Sequence, residues 1–260
     1  MQMLNEMQGE IRLIPGLIII FKLFTCSFRK FPKNLYMRHN KALMTKALFL
    51  ILILSSCCYA AFSHDVVIDV ENMSGPNAAW LYFLLGFKHI LPLGFDHILF
   101  VMSLFLLSPK LKPILWQSSA FTLAHSVTLG LAMYGVIKPA PAIVEPLIAL
   151  SILYVALENI FSPQLKTSRI LVVFLFGLVH GMGFAGVLQD LGLPEKSYLT
   201  SLIMFNVGVE AGQLTIILAA YFLIARWFVN PANYRKFVVV PLSVTIAFIA
   251  FFWTIQRVFY

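Results

Sequence analysis

Charge is the scarce property of this 260-residue chain. Only 12% of its residues are Asp, Glu, Lys or Arg, about half of the roughly 25% usual in soluble domains. Against that, 60% are hydrophobic and the mean hydropathy is +0.87. Such a chain has too few polar groups to cover a water-exposed surface, which excludes a soluble domain and a disordered segment. Cysteine is nearly absent as well: Cys26, Cys57 and Cys58 all precede residue 60, so a processed protein would have neither a disulfide scaffold nor a thiolate metal site. The formal charge of +8 does not indicate a nucleic-acid module, because most of the basicity lies in the leader. Residues 1–46 hold eight Lys/Arg against Glu6 and Glu10, whereas from Ala61 onward eleven Lys/Arg face nine acids. The composition is that of an integral membrane protein.

Residues 37–61 (MRHNKALMTKALFLILILSSCCYAA) join a basic stretch, an apolar core from Ala47 to Leu54 and small residues, which is the pattern of a secretory signal peptide. The segments read as a leader extension over 1–36, a signal peptide over 37–60 and a polar, acidic exported segment over 61–79. A six-helix transmembrane domain then fills 80–260. Cleavage after Ala60 fits the small-residue rule; Leu54-Ser55-Ser56-Cys57 also has lipobox character, and an uncleaved anchor would add one helix.

Six apolar runs are long enough to cross the hydrocarbon, which needs about 20 residues each: approximately 80–107, 114–136, 142–161, 170–189, 198–226 and 237–258. If residue 62 is outside, the cytoplasmic loops carry Lys110, Lys112, Lys166, Arg169, Arg226, Arg235 and Lys236. The opposite loops and tail carry only Lys138, Lys196 and Arg257. This agrees with the positive-inside rule and puts both mature ends outside.

An ionisable group at mid-membrane costs at least about 2.5–3.5 kcal/mol on insertion scales, so it persists where it faces a cavity, a partner or an ion. The first span carries Lys88, His89, Asp96 and His97, the second His125, the third Glu145 and Glu158, the fourth His180 and the fifth Glu210. Counting at 1.5 Å per residue puts His125, His180 and Glu210 near the midplane. Glu145 falls near the outer mouth, and Glu158 near the cytoplasmic end, where Lys166 and Arg169 can pair with it.

Within the first span, Pro92 removes a backbone donor and Gly94 relaxes the chain, which predicts a break near Pro92/Gly94. Broken backbone at membrane depth is tolerated only against protein or a cavity. An unbroken helix would hold His89 and Asp96 about 10 Å apart, too far to share one ion, and a break can shorten that. Imidazole with carboxylate suits divalent first-row metals; the plainer alternative is a structural Asp96–His97 pair. On the fifth span, Asn206, Glu210 and Gln213 share one face at i, i+4, i+7. For Asn206 and Gln213, interhelical hydrogen bonding weighs as much as a site role, whereas the charge of Glu210 needs a cation or a proton. In the fourth span, Gly177, Gly181, Gly183 and Gly186 allow close backbone approach.

Five blocks in order carry a resemblance: residues 86–100 (GFKHILPLGFDHILF), 121–132 (FTLAHSVTLGLA), 144–161 (VEPLIALSILYVALENIF), 176–188 (FGLVHGMGFAGVL) and 205–214 (FNVGVEAGQL). Together they resemble the HupE/UreJ family of bacterial membrane proteins, in the branch with an exported leader and six residues between His and Asp. The resemblance implies a secondary nickel or cobalt permease associated with hydrogenase and urease maturation partners. It also implies His89, Asp96 and His97 as metal ligands, with His125, His180 and Glu210 as further ones and Glu145, Asn206 and Gln213 as secondary groups.

The expected protein is therefore an inner-membrane carrier for a divalent transition metal, nickel or cobalt first and zinc as an alternative, with lipid and the ion as partners. Asp96 and Glu210 would offset the charge of the ion. Two other classes stay open: a membrane-embedded zinc hydrolase using three histidines and an open water position, and a non-transporting metal-insertion partner.

Overall fold

A computed structural model describes residues 75–259 apart from 109, 163, 187, 189–196 and 229. The leader and signal-peptide readings lie outside the described residues, as does residues 61–74 of the exported segment. Gly75 to Ala79 of that segment already belong to the first helix.

The described residues fold into helices, with no strand among them: α1 (Gly75–Ile90), α2 (Phe95–Leu107), α3 (Leu111–Met133), α4 (Pro141–Phe161), α5 (Arg169–Gly183), α6 (Tyr198–Leu223), the short α7 (Pro231–Tyr234) and α8 (Val240–Phe259). Local chemistry sets several boundaries. Pro141 opens α4 and Pro231 opens α7, where a missing N–H costs nothing. Asn230 caps α7 by accepting from the Ala232 and Asn233 amides at 2.9 and 3.4 Å. Between α7 and α8, Arg235–Val239 form a π-turn. It lies just before Pro241, whose ring cannot donate four residues back, and a wider turn is one way a helix absorbs such a residue.

The break read at Pro92 and Gly94 falls between Ile90 and Phe95, where α1 and α2 bend by 68°. Pro92 has no amide to donate, and the chain crosses the gap on irregular bonds, Leu93 N to Lys88 O and Gly94 N to Ile90 O, both 3.3 Å. Glycine is required at 94 for space: a β-carbon there would run into the His89 carbonyl oxygen.

Three helical pairs dominate the packing: α1 on α6, α3 on α5 and α4 on α8. The short α2 lies among them, touching α1, α3, α4, α6 and α8, and buries Phe100, Val101, Leu104, Phe105 and Leu106. Small residues bring the pairs together. Gly86 of α1 faces the Phe205 carbonyl and Gly208 of α6 faces the Phe83 carbonyl. In α5, Gly177 and Gly181 meet the Phe121 and His125 carbonyls of α3. Gly183 instead faces the Ile148 side chain, 2.6 Å from where a β-carbon would sit, and Gly186 faces nothing within 4 Å.

The polarity is that of a protein in lipid. Leu123, Leu171, Ile203, Phe248 and Phe251 point outward, while His125, Arg169, His180 and Gln213 are buried. By length and composition, α4, Tyr198–Trp227 and Pro231–Phe259 are able to cross a membrane, and the broken α1–α2 pair makes a fourth. That is fewer than the six spans read from the sequence, although the helices fall where those apolar runs lie. α3 has 23 residues, but Gln117, Ser118, Ser119, Thr122, Ser126 and Thr128 lower its hydropathy. α5 stops at Gly183 after 15 residues, about 22 Å of rise against a hydrocarbon core of about 30 Å.

Candidate metal centre

The break in the first span has a direct consequence for its histidines. His89 lies in the last turn of α1 and His97 in the first turn of α2. In a straight helix eight residues separate Cα atoms by about 12 Å; across the bend the two rings are 4.6 Å apart, edge to face. His125, in the middle of α3, lies 6.0 Å from the His89 ring and 5.9 Å from the His97 ring. One ligand nitrogen from each of His89, His97 and His125 lies within 4.8 Å of the others. His180 of α5 adds a fourth ring, 5.0 Å from that of His97.

The rings sit in a hydrocarbon cage. The Phe184 ring lies tilted against His89 at 3.9 Å between centroids, and Phe121 and Phe100 lie 5.0 and 5.1 Å from His180. His97, His125 and His180 are buried and His89 is half-buried. One buried ring nitrogen on each residue has no protein partner: Nε2 of His89, His97 and His125, and Nδ1 of His180. An unsatisfied buried nitrogen costs about 1–3 kcal/mol, and the converging ligand atoms of His89, His97 and His125 are an arrangement that a cation would satisfy. Imidazole binds zinc-like ions at about 2.0–2.1 Å, so two ligand nitrogens stand at most about 4.2 Å apart. The spacing of up to 4.8 Å is wider than that, so the three rings must draw together to share one ion.

The acids read as ligands have other partners. The Asp96 carboxylate accepts from Arg257 at 2.9 and 3.1 Å and is not among the groups whose ligand atoms converge. The sequence offered Asp96 to the ion; in the fold, a guanidinium from the end of α8 already neutralises it. Glu145 is exposed, and its backbone carbonyl accepts from Arg257 at 3.3 Å. Glu210 accepts from Ser119 at 3.0 Å and Thr122 at 2.5 Å, and Gln213 accepts from Ser118 at 2.5 Å. The polar stripe of α6 thus lies against the polar face of α3. Asn206 reaches the centre through His125, with Oδ1 3.4 Å from Nδ1. Glu210 holds α3 one turn from His125 and contributes no atom to the three-histidine group.

A second polar cluster lies toward the other end of the bundle. Arg169, 1% exposed, pairs with Glu158 at 3.0 Å and donates to Gln117 Oε1 and Asn159 Oδ1 at 3.1 and 3.2 Å. Asn159 in turn donates to the Ser103 carbonyl at 2.7 Å. The Glu158–Arg169 pair is one of those read from the loop charges, but the depth of Arg169 is not what a loop residue suggests. Sequence reading also missed Ser151, which lies 2.9 Å from His180 Nε2; a serine in an apolar helix gives no signal until its partner is known.

Searches of curated proteins and of solved structures gave no match to the chain. A family model described as HupE / UreJ protein matches residues 65–257, most of the sequence and the whole of the described bundle except its last two residues. With four histidines gathered inside an apolar bundle and that match over its length, the chain belongs to the HupE/UreJ family.

Proposed function

We propose that this protein carries a divalent transition-metal cation, nickel or cobalt first and zinc as the alternative, across a bacterial inner membrane. The observation that supports this best is the convergence of ligand nitrogens from His89, His97 and His125, contributed by three helices. Nitrogen donors without thiolate or clustered carboxylate favour late first-row metals over magnesium or calcium. His180 completes the set from α5. A hydrated ion enters on the half-buried His89 side and exchanges water for imidazole.

The ion meets no first carboxylate in this set, and a bare double charge in a dry site is prohibitive. Glu210 of α6, bonded to Ser119 and to Thr122 one turn along α3 from His125, offsets part of it through space, with Asn206 and Gln213 orienting that seam. Asp96 acts through Arg257, and Glu145 lies at the outer mouth as an entry group. In this reading α3 and α5 also span, so that six helices cross and both mature ends face outward. The polar face of α3 is covered by α6. Family membership supports a transport role related to nickel or cobalt, with metalloenzyme maturation proteins downstream.

The test is metal flux into liposomes containing the full chain and an enclosed metal-sensitive dye. Wild type should admit Ni or Co and His97→Ala should not. Tight metal binding without flux would reject the carrier reading in favour of a metal-insertion partner.

A further inference from the structure

The histidines at the centre differ in which nitrogen is bare, and the neighbours of two of them account for the difference. Ser151 of α4 is buried and donates to the Ile148 carbonyl at 2.7 Å. A carbonyl only accepts, so the single hydroxyl proton is committed there. The Ser151 oxygen must then accept from His180, whose Nε2 is 2.9 Å away. The proton of His180 is therefore on Nε2, and Nδ1, buried and without a protein partner, presents its lone pair.

His125 is held the opposite way. Asn206 donates through Nδ2 to the Leu202 carbonyl at 2.8 Å, which fixes the orientation of its amide. Its Oδ1 faces His125 Nδ1 at 3.4 Å and can only accept. The proton of His125 is thus on Nδ1, and the buried Nε2 is bare. Two helices, α4 and α6, impose opposite tautomers on two rings of α5 and α3. In both cases the bare nitrogen is buried, on a ring that packs beside His97.

We propose that Ser151 and Asn206 are positioning residues that set these tautomers, making His180 a fourth ligand through Nδ1 beside His125 Nε2. This rests on the metal reading above and deepens it. A centre of lone pairs accepts a Lewis-acidic cation and rejects an anion, which would need N–H donors. Four neutral nitrogens shift preference toward Ni, Co, Cu and Zn and away from Mg and Mn. A hydrogen bond to the far nitrogen also raises ligand basicity, and losing such a partner typically costs about 10–100-fold in metal affinity.

The experiment uses the full chain in nanodiscs with nitrogen-15-labelled histidine and Co(II) as the probe. Without metal, the imidazole spectrum should show His180 protonated at Nε2 and His125 at Nδ1. Ser151→Val, which removes the hydroxyl, should weaken Co(II) binding by about 10–100-fold, and Ser151→Thr should restore it. Asn206→Leu should weaken binding similarly and Asn206→Asp, which keeps the acceptor, should recover part. Wild-type His180 protonated at Nδ1, or Ser151→Val binding Co(II) as tightly as Ser151→Thr, would overturn the proposal. The two readings fail separately: a wild type with these tautomers but no bound Co(II) sinks the metal function, whereas normal flux in Ser151→Val sinks only the role of Ser151.

Discussion

Arg257, in the last turn of α8, donates to both carboxylate oxygens of Asp96, at 2.9 and 3.1 Å across 161 positions of sequence. Its other terminal nitrogen reaches the Glu145 carbonyl at 3.3 Å, and its guanidinium lies 5.4 Å from the Trp253 ring centroid. One side chain therefore ties the start of α2 to α4 and α8, one residue before His97. The position of a metal ligand depends on an ion pair formed by its sequence neighbour.

Asp96→Asn and Arg257→Gln should each lower Co(II) affinity, and the double variant should be no worse than either single. Each single change removes the same clamp, so the effects should be non-additive, with a coupling of about 1 kcal/mol for a partly screened pair. A double-mutant cycle on binding measures it. Additive losses would instead give Asp96 a role of its own at the ion.

His97→Ala should cost more Co(II) affinity than His89→Ala or His180→Ala. Its ring is the one that approaches all three others, at 4.6, 5.9 and 5.0 Å, so its loss removes the shared vertex of the set. Titration followed by the visible spectrum of bound Co(II) checks the order, and a larger loss at His180 would move the centre toward α5.

Arg169→Met should destabilise the bundle by about 3–5 kcal/mol, because it leaves Glu158 near-buried and unpaired. Arg169→Lys should not rescue it: one ammonium cannot replace the fork that reaches Glu158, Gln117 and Asn159 together. Pairing Arg169→Met with Glu158→Leu should recover part of the loss. Thermal unfolding in detergent reads all three, and a wild-type-like Arg169→Lys would count against the network.

Gly181→Ala should lower both stability and metal binding. A β-carbon at 181 collides with the His125 carbonyl and Thr128 Oγ1, which forces α5 off α3 and moves His180 and His125 apart. Overpacking of this kind costs about 1–3 kcal/mol. Gly186→Ala, with nothing within 4 Å, serves as the control and should leave both properties unchanged.

Local features of the sequence were readable because they act over a few residues. Pro92 and Gly94 break the first span wherever the rest of the protein lies, and the polar stripe Asn206, Glu210, Gln213 follows from helical period alone. The Glu158–Arg169 pair, separated only by one loop, was legible for the same reason. Other assignments required the packed bundle. His97 meets His89 across the 68° bend while Asp96 beside it goes to Arg257, and sequence gives no bend angle. Asp96 goes to Arg257, His180 to Ser151 and His125 to Asn206, partners chosen by which helix faces stack. Composition and periodicity determine that these groups lie within the apolar bundle and that each helix turns them inward. Only tertiary packing decides which group meets which, because an interhelical hydrogen bond depends on distances of a few ångströms between segments that are unconstrained along the chain.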